Sequence, residues 1–93
     1  MMQDKIIDMR RAEDKRGAIS MIYRAIGFEG EAGTNLDALY DVLTAWGMPV
    51  RVSFLYWNGF KKRLPTAAEG ISAVCSDAMS VNRNIVFAYK KRT

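Results

Sequence analysis

Hydrophobic positions along this chain alternate between two spacings, and the switches between them predict its elements. Ile6, Ile7 and Met9 mark a short first strand from Lys5 to Arg10. Ile19, Ile22, Tyr23 and Ile26 then fall at i, i+3, i+4 and i+7, one apolar stripe of a helix that can start at Asp14. Gly17 weakens its first turn, since glycine costs about 1 kcal/mol against alanine inside a helix. Gly27 to Gly33 holds three glycines and reads as a loop. A second helix runs from about Asn35 to Trp46, with Asn35 as its N-cap and Asp37 at the positive helix end; Gly47 and Pro49 stop it. Val50, Val52, Phe54 and Tyr56 alternate with Arg51, Ser53, Leu55 and Trp57, a strand expected to be buried on much of both faces.

Lys61-Lys62-Arg63 leads into Pro65, and Thr66-Ala67-Ala68-Glu69 has the form of a capping box opening a third helix. Ile71, Val74, Cys75 and Ala78 give that helix its stripe. Asn82-Arg83-Asn84 makes a turn, Ile85 to Tyr89 is the last strand, and Lys90 to Thr93 is a solvated tail. Strands joined by helical crossovers pair in parallel, with right-handed connections. The expected fold is therefore α/β, a small three-stranded parallel sheet with helices covering its faces. At 93 residues the whole chain, 1–93, is one domain.

Composition narrows the chemistry. The chain has no histidine and one cysteine, Cys75, which removes Ser-His-Asp and Cys-His machinery, structural zinc sites and any internal disulfide. Cys75 on an apolar stripe reads as an inert core thiol. There is no P-loop and no Gly-x-Gly-x-x-Gly run. The expectation is a protein that is not an enzyme and needs neither cofactor nor metal. The first residues carry acids where a signal peptide needs an unbroken apolar stretch, and no run approaches the ~20 apolar residues of a membrane span. A cytoplasmic location and no membrane partner follow as expectations.

The net charge is +4, but its placement says more than its sum. Residues 1–24 carry six Lys/Arg against four Asp/Glu, and residues 51–93 carry eight against two. Between Ala25 and Val50 there is no Lys or Arg, while Glu29, Glu31, Asp37 and Asp41 are all acidic. On the second helix Leu36, Leu39, Leu43 and Trp46 trace a core-facing stripe, and Asp37, Tyr40, Asp41 and Thr44 trace the opposite face. Asp37 and Asp41, four residues apart, have Cβ atoms roughly 5–6 Å from each other. Catalytic carboxylates need environments that push their pKa values apart; two alike on a helix surface suit recognition of a cationic partner better.

The stretch Gly33-Thr34-Asn35-Leu36-Asp37-Ala38-Leu39-Tyr40-Asp41-Val42-Leu43-Thr44-Ala45-Trp46 resembles the central motif of the barstar family, approximately Gly-x-Asn-Leu-Asp-Ala-Leu-Trp-Asp-x-Leu-Thr-x-Trp. The order of elements on either side is similar too. The resemblance implies a barstar-like domain with three to four helices. It implies a stoichiometric ribonuclease inhibitor that lays this helix and the loop before it across the enzyme's active site. Bacteria use such inhibitors against their own secreted nuclease or as immunity proteins against a toxin delivered by neighbours; the basic balance here favours immunity. Carried over, Asp41 is the central anchor and Asp37 its partner one turn earlier. Tyr40 stands where tryptophan is common, and Asn35, Leu36, Thr44 and Trp46 lie at or beside the contact. The loop often carries tyrosines, but Glu29-Gly30-Glu31-Ala32 occupies it here, so Glu31 adds a charge where an aromatic is lost. Asp77 corresponds to a further acid on the later helix. The competing expectations are a nucleic-acid-binding domain using Lys61, Lys62, Arg63, Arg83 and the Lys90 to Arg92 tail, disfavoured by the acidic helix, and a subunit using the same helix to join an assembly.

Overall fold

A computed structural model describes residues 2–90; Lys91, Arg92 and Thr93 of the expected basic tail lie outside the described residues. Strands β1 (Gln3–Asp8), β2 (Val50–Leu55) and β3 (Ile85–Tyr89) form one parallel sheet in the order β1-β2-β3. A 3-10 turn, Met9–Arg11, follows β1. Helices α1 (Lys15–Ile26) and α2 (Leu36–Thr44) lead to β2, and α3 (Trp57–Arg63) and α4 (Pro65–Val81) lead to β3. The α/β class, the parallel sheet and the number of strands are as the sequence predicts.

The burial of the sheet differs from expectation. Each crossover steps one strand in the same direction, so two right-handed crossovers leave all helices on one face. Val50, Val52 and Phe54 are buried against them with Ile7, Ile85 and Phe87. On the other face Arg51 is exposed and Ser53 and Leu55 are half-buried, while Ile6 on β1 is 67% exposed. The sheet is thus covered on one side only.

Helix α3 is the element that periodicity misses. Reading the alternation of β2 through Trp57 runs past a break at Tyr56, whose φ of 61° is left-handed and turns the chain into the helix. The Arg10 guanidinium lies 3.9 Å from the centre of the Tyr56 ring. Trp57, Phe60 and Leu64 at i, i+3 and i+7 then face the core, the spacing that could have revealed α3. The expected capping box at Thr66 does not form. Pro65 occupies the first helical turn and Ala68 N–H already bonds Leu64 C=O at 2.9 Å, so Thr66 lies inside α4.

Candidate functional site

Helix α2 carries the acidic face, and each part of its placement has a local cause. Asn35 caps it, its side-chain oxygen accepting from Ala38 N–H at 2.8 Å, and Asp37 sits in the first turn. Leu39 and Leu43 are fully buried, and α2 packs on α4. Leu36 lies over Gly70 of α4 so closely that a Cβ there would stand 2.7 Å from Leu36 Cδ1. Leu36 therefore anchors the helix on its inner side. Asp37, Tyr40 and Asp41 are exposed on the outer side. Thr44 is half-buried, and its hydroxyl donates to Tyr40 C=O at 2.8 Å, a bond within the helix.

The far end of α2 is held by a residue whose sequence neighbourhood predicts a turn. Asn82, buried at the end of α4, donates through Nδ2 to Leu43 C=O at 2.8 Å and Trp46 C=O at 2.9 Å, and its Oδ1 accepts from Asn84 N–H at 3.0 Å. Helix C-termini leave carbonyls short of partners; here one side chain adds a donor to Leu43 C=O, which also accepts from Trp46 N–H at 3.3 Å, and to Trp46 C=O, which also accepts from Asn84 Nδ2 at 3.3 Å, and so ties the end of α2 to α4. An asparagine just past a long helical stripe is the available signal, but its targets lie 36 to 39 residues away.

The loop before α2 begins at Gly27, whose φ of +85° closes α1 with Phe28 N–H bonded to Tyr23 C=O at 2.9 Å. Phe28 packs on Tyr23 and meets Trp46 edge-on, with centroids 5.2 and 6.4 Å apart. The Tyr23 hydroxyl donates to Gly33 C=O at 2.8 Å. Burial first, then the nearby Asp41 carboxylate, raises the Tyr23 pKa above its ordinary value. The fold also brings in a cation from α1, since Arg16 Nε donates to Thr34 Oγ1 at 3.1 Å.

This packing leaves a groove of about 610 Å³ between loop and helix, lined by Phe28, Ala38, Val42 and Trp46 and by the carboxylates Glu31 and Asp41. Glu31 and Asp41, expected at the contact on different grounds, thus share one concavity. Among the described residues the two ion pairs are Asp8–Arg10 and Asp4–Arg51, so Glu29, Glu31, Asp37 and Asp41 have no cationic partner, and none of their carboxylates accepts a hydrogen bond. Trp46 is half-buried, and its indole nitrogen is enclosed with no acceptor among the described residues. Asp77 is exposed on α4 and lines no part of the groove.

Other candidate chemistry does not assemble. Cys75 is fully buried, and burial pushes its thiol up to about 12, so it stays protonated at neutral pH and is a core residue. No cluster of three or more potential metal ligands occurs among the described residues, and no helix among them is long and apolar enough to cross a membrane. In the basic segment, Lys61 and Lys62 are exposed, but the Arg63 guanidinium donates to Met9 C=O at 2.9 Å and Ala12 C=O at 3.0 Å. It holds α3 against the turn after β1.

The family model described as Barstar (barnase inhibitor) matches residues 2–91 of this chain. No curated protein matches it.

Proposed function

We propose that this chain, which belongs to the barstar family, is a stoichiometric inhibitor that blocks the active site of a ribonuclease with α2 and the loop before it. The observation that carries this reading is the acidic run from Glu29 to Asp41, set on and beside a helix fixed at both ends, with no cation of the described chain paired to it. Carboxylates left free in the folded inhibitor are available to the arginines and lysines with which a ribonuclease holds RNA phosphates. Such pairs make short, charge-assisted hydrogen bonds once water is excluded.

Asp41 is the central anchor, with Asp37 one helical turn before it and Tyr40 beside both. Thr44 and Trp46 border the contact at the helix end, and Glu31 extends it across the groove. Asn35 and Leu36 act from behind, as cap and packing anchor. Asp77 adds charge from α4. A partner attracted by this field associates faster at low salt, because exposed charges are screened within a Debye length of about 10 Å at 0.1 M. The basic remainder of the chain favours a toxin-immunity role in the bacterial cytoplasm over control of the cell's own secreted nuclease.

The test is a pull-down with wild-type bait and with the Asp37→Ala/Asp41→Ala double variant, followed by release and an RNA-cleavage assay. Capture of a ribonuclease by wild type and its loss from the variant is the expected outcome. Capture that ignores the substitutions, or retention of RNA or a protein without nuclease activity, contradicts the proposal.

A further inference from the structure

The loop before α2 has a second side, turned to α1, and the charge there is of the opposite sign. Ser20, Tyr23 and Arg24 of α1 and Gly30 and Thr34 of the loop line a hollow of about 340 Å³. Arg16, Ser20 and Arg24 stand four residues apart, so they share one face of the helix. Both arginines are exposed, and among the described residues neither takes part in an ion pair. Arg10, Arg51 and Arg63, by contrast, are taken up by Asp8, Asp4 and two backbone carbonyls. Arg16 stands in the first turn of α1, at the positive end of the helix, where a cation is disfavoured and no acid of that turn offsets it. Its Nε donates to Thr34 Oγ1 at 3.1 Å, which fixes the guanidinium against the loop and leaves its two terminal nitrogens without an acceptor among the described residues.

We infer that this face of α1 docks an acidic segment of the partner protein, with one carboxylate on the terminal nitrogens of Arg16 and another on Arg24 at the hollow. The inference rests on the reading of the chain as a protein inhibitor. Three features select the occupant. Two guanidiniums without acids on one helix face call for negative charge. The free edge of Arg16 presents parallel donors, the arrangement that a carboxylate matches with two bonds. The surroundings select a protein acid over RNA: the cations lie eight residues, about 12 Å, apart along the helix, too few for a nucleic acid that binds through many phosphates, and a strand running on from them meets Glu29 and Glu31. Thr34 leads directly into the Asn35 cap of α2, so the partner has to carry an acidic segment beside the cationic site that α2 covers. A ribonuclease with cations alone at that place meets Arg16 and Arg24 as like charges, and the pair thereby determines which nuclease is accepted.

The protein captured by the wild-type chain is the probe. Arg16→Gln/Arg24→Gln is expected to weaken its binding about tenfold, as for two exposed ion pairs at an interface. Lys61→Gln/Lys62→Gln removes the same charge from α3 and is expected to change binding by no more than about twofold. Equal losses from the two pairs would mean that only the overall field matters, and would overturn the contact. Arg16→Lys and Arg24→Lys keep the cation and supply an amine, which a carbodiimide joins to a touching carboxyl group with loss of water. Mass spectrometry of the treated complex is expected to find that amide bond, from at least one of the two positions, to an aspartate or glutamate of the partner. Its absence at both positions, in variants that melt near wild type, overturns the inference. So does retention of a single-stranded RNA oligonucleotide by wild type that Arg16→Gln/Arg24→Gln abolishes, which would assign the stripe to RNA. A ribonuclease held equally by wild type and by Arg16→Gln/Arg24→Gln sinks this inference and leaves the proposed function standing. If the captured protein has no nuclease activity, the proposed function falls, and the same variants and cross-link still decide the inference.

Discussion

Two short runs of like charge, the acids at 29–41 and the cations at 61–63, look equally available in the sequence and fare differently in the fold. The acids end on an exposed helix face and a loop, unpaired among the described residues. Of the cations, Arg63 is spent on two backbone carbonyls and becomes a structural clamp, leaving Lys61 and Lys62 as solvated neighbours. Net charge alone therefore says little about which charges the fold leaves unpaired. A chain of +4 suggests an acidic partner, yet of these two runs the one the fold leaves concentrated and uncommitted is negative. What distinguishes a binding surface from a charge run is whether the protein's own groups have already satisfied it.

The largest effect expected from that contrast is on binding. Asp41→Ala should weaken partner affinity by about two to three orders of magnitude, the cost of leaving a cationic partner buried and unpaired. Its melting temperature should stay near wild type, because Asp41 is exposed and makes no side-chain bond. Next comes the support behind the acidic face. Asn82→Ala removes one of the two donors held by each of the Leu43 and Trp46 carbonyls and should cost about 2 kcal/mol in denaturant unfolding. Weaker partner binding should accompany it as the helix end loosens; full stability would remove Asn82 from the account. On the basic side, Arg63→Met should cost about 1–2 kcal/mol without changing partner affinity. If it instead impaired binding and spared stability, the two regions would have to exchange roles. Smallest of all, Lys61→Ala and Lys62→Ala should each stay within about 0.5 kcal/mol of wild type.

Much of this was legible in the sequence where a local signal decides the structure. The Asp14 and Asn35 caps, the Gly27 stop and the stripe of α1 are local; α1 begins and ends and α2 begins where those residues place them, while α2 ends at Thr44, two residues before the expected Trp46. Helix α3 was hidden because an alternating strand runs into it without a proline or a cap, and the break is a left-handed Tyr56 that no residue preference announces. The capping box at Thr66 failed for the complementary reason, as Pro65 starts the helix earlier. The open face of the sheet follows from strand order, which periodicity does not contain. At the site, the exposed face of α2 was visible from spacing. Leu36 was expected at or beside the contact and packs inward on Gly70. The groove, the Asn82 tie and the approach of Arg16 to Thr34 join residues far apart in the chain, and only tertiary packing reveals them.

The central claim is that the unpaired acids of α2 stop a ribonuclease by occupying it one to one. The direct measurement is a titration of the captured nuclease's RNA cleavage with wild-type protein and with Asp41→Ala, both shown to be folded. The account predicts a linear fall to full inhibition at equimolar wild type and little inhibition at the same concentration of the variant. Equal inhibition by the two proteins, or cleavage that continues with wild type in excess, would contradict it.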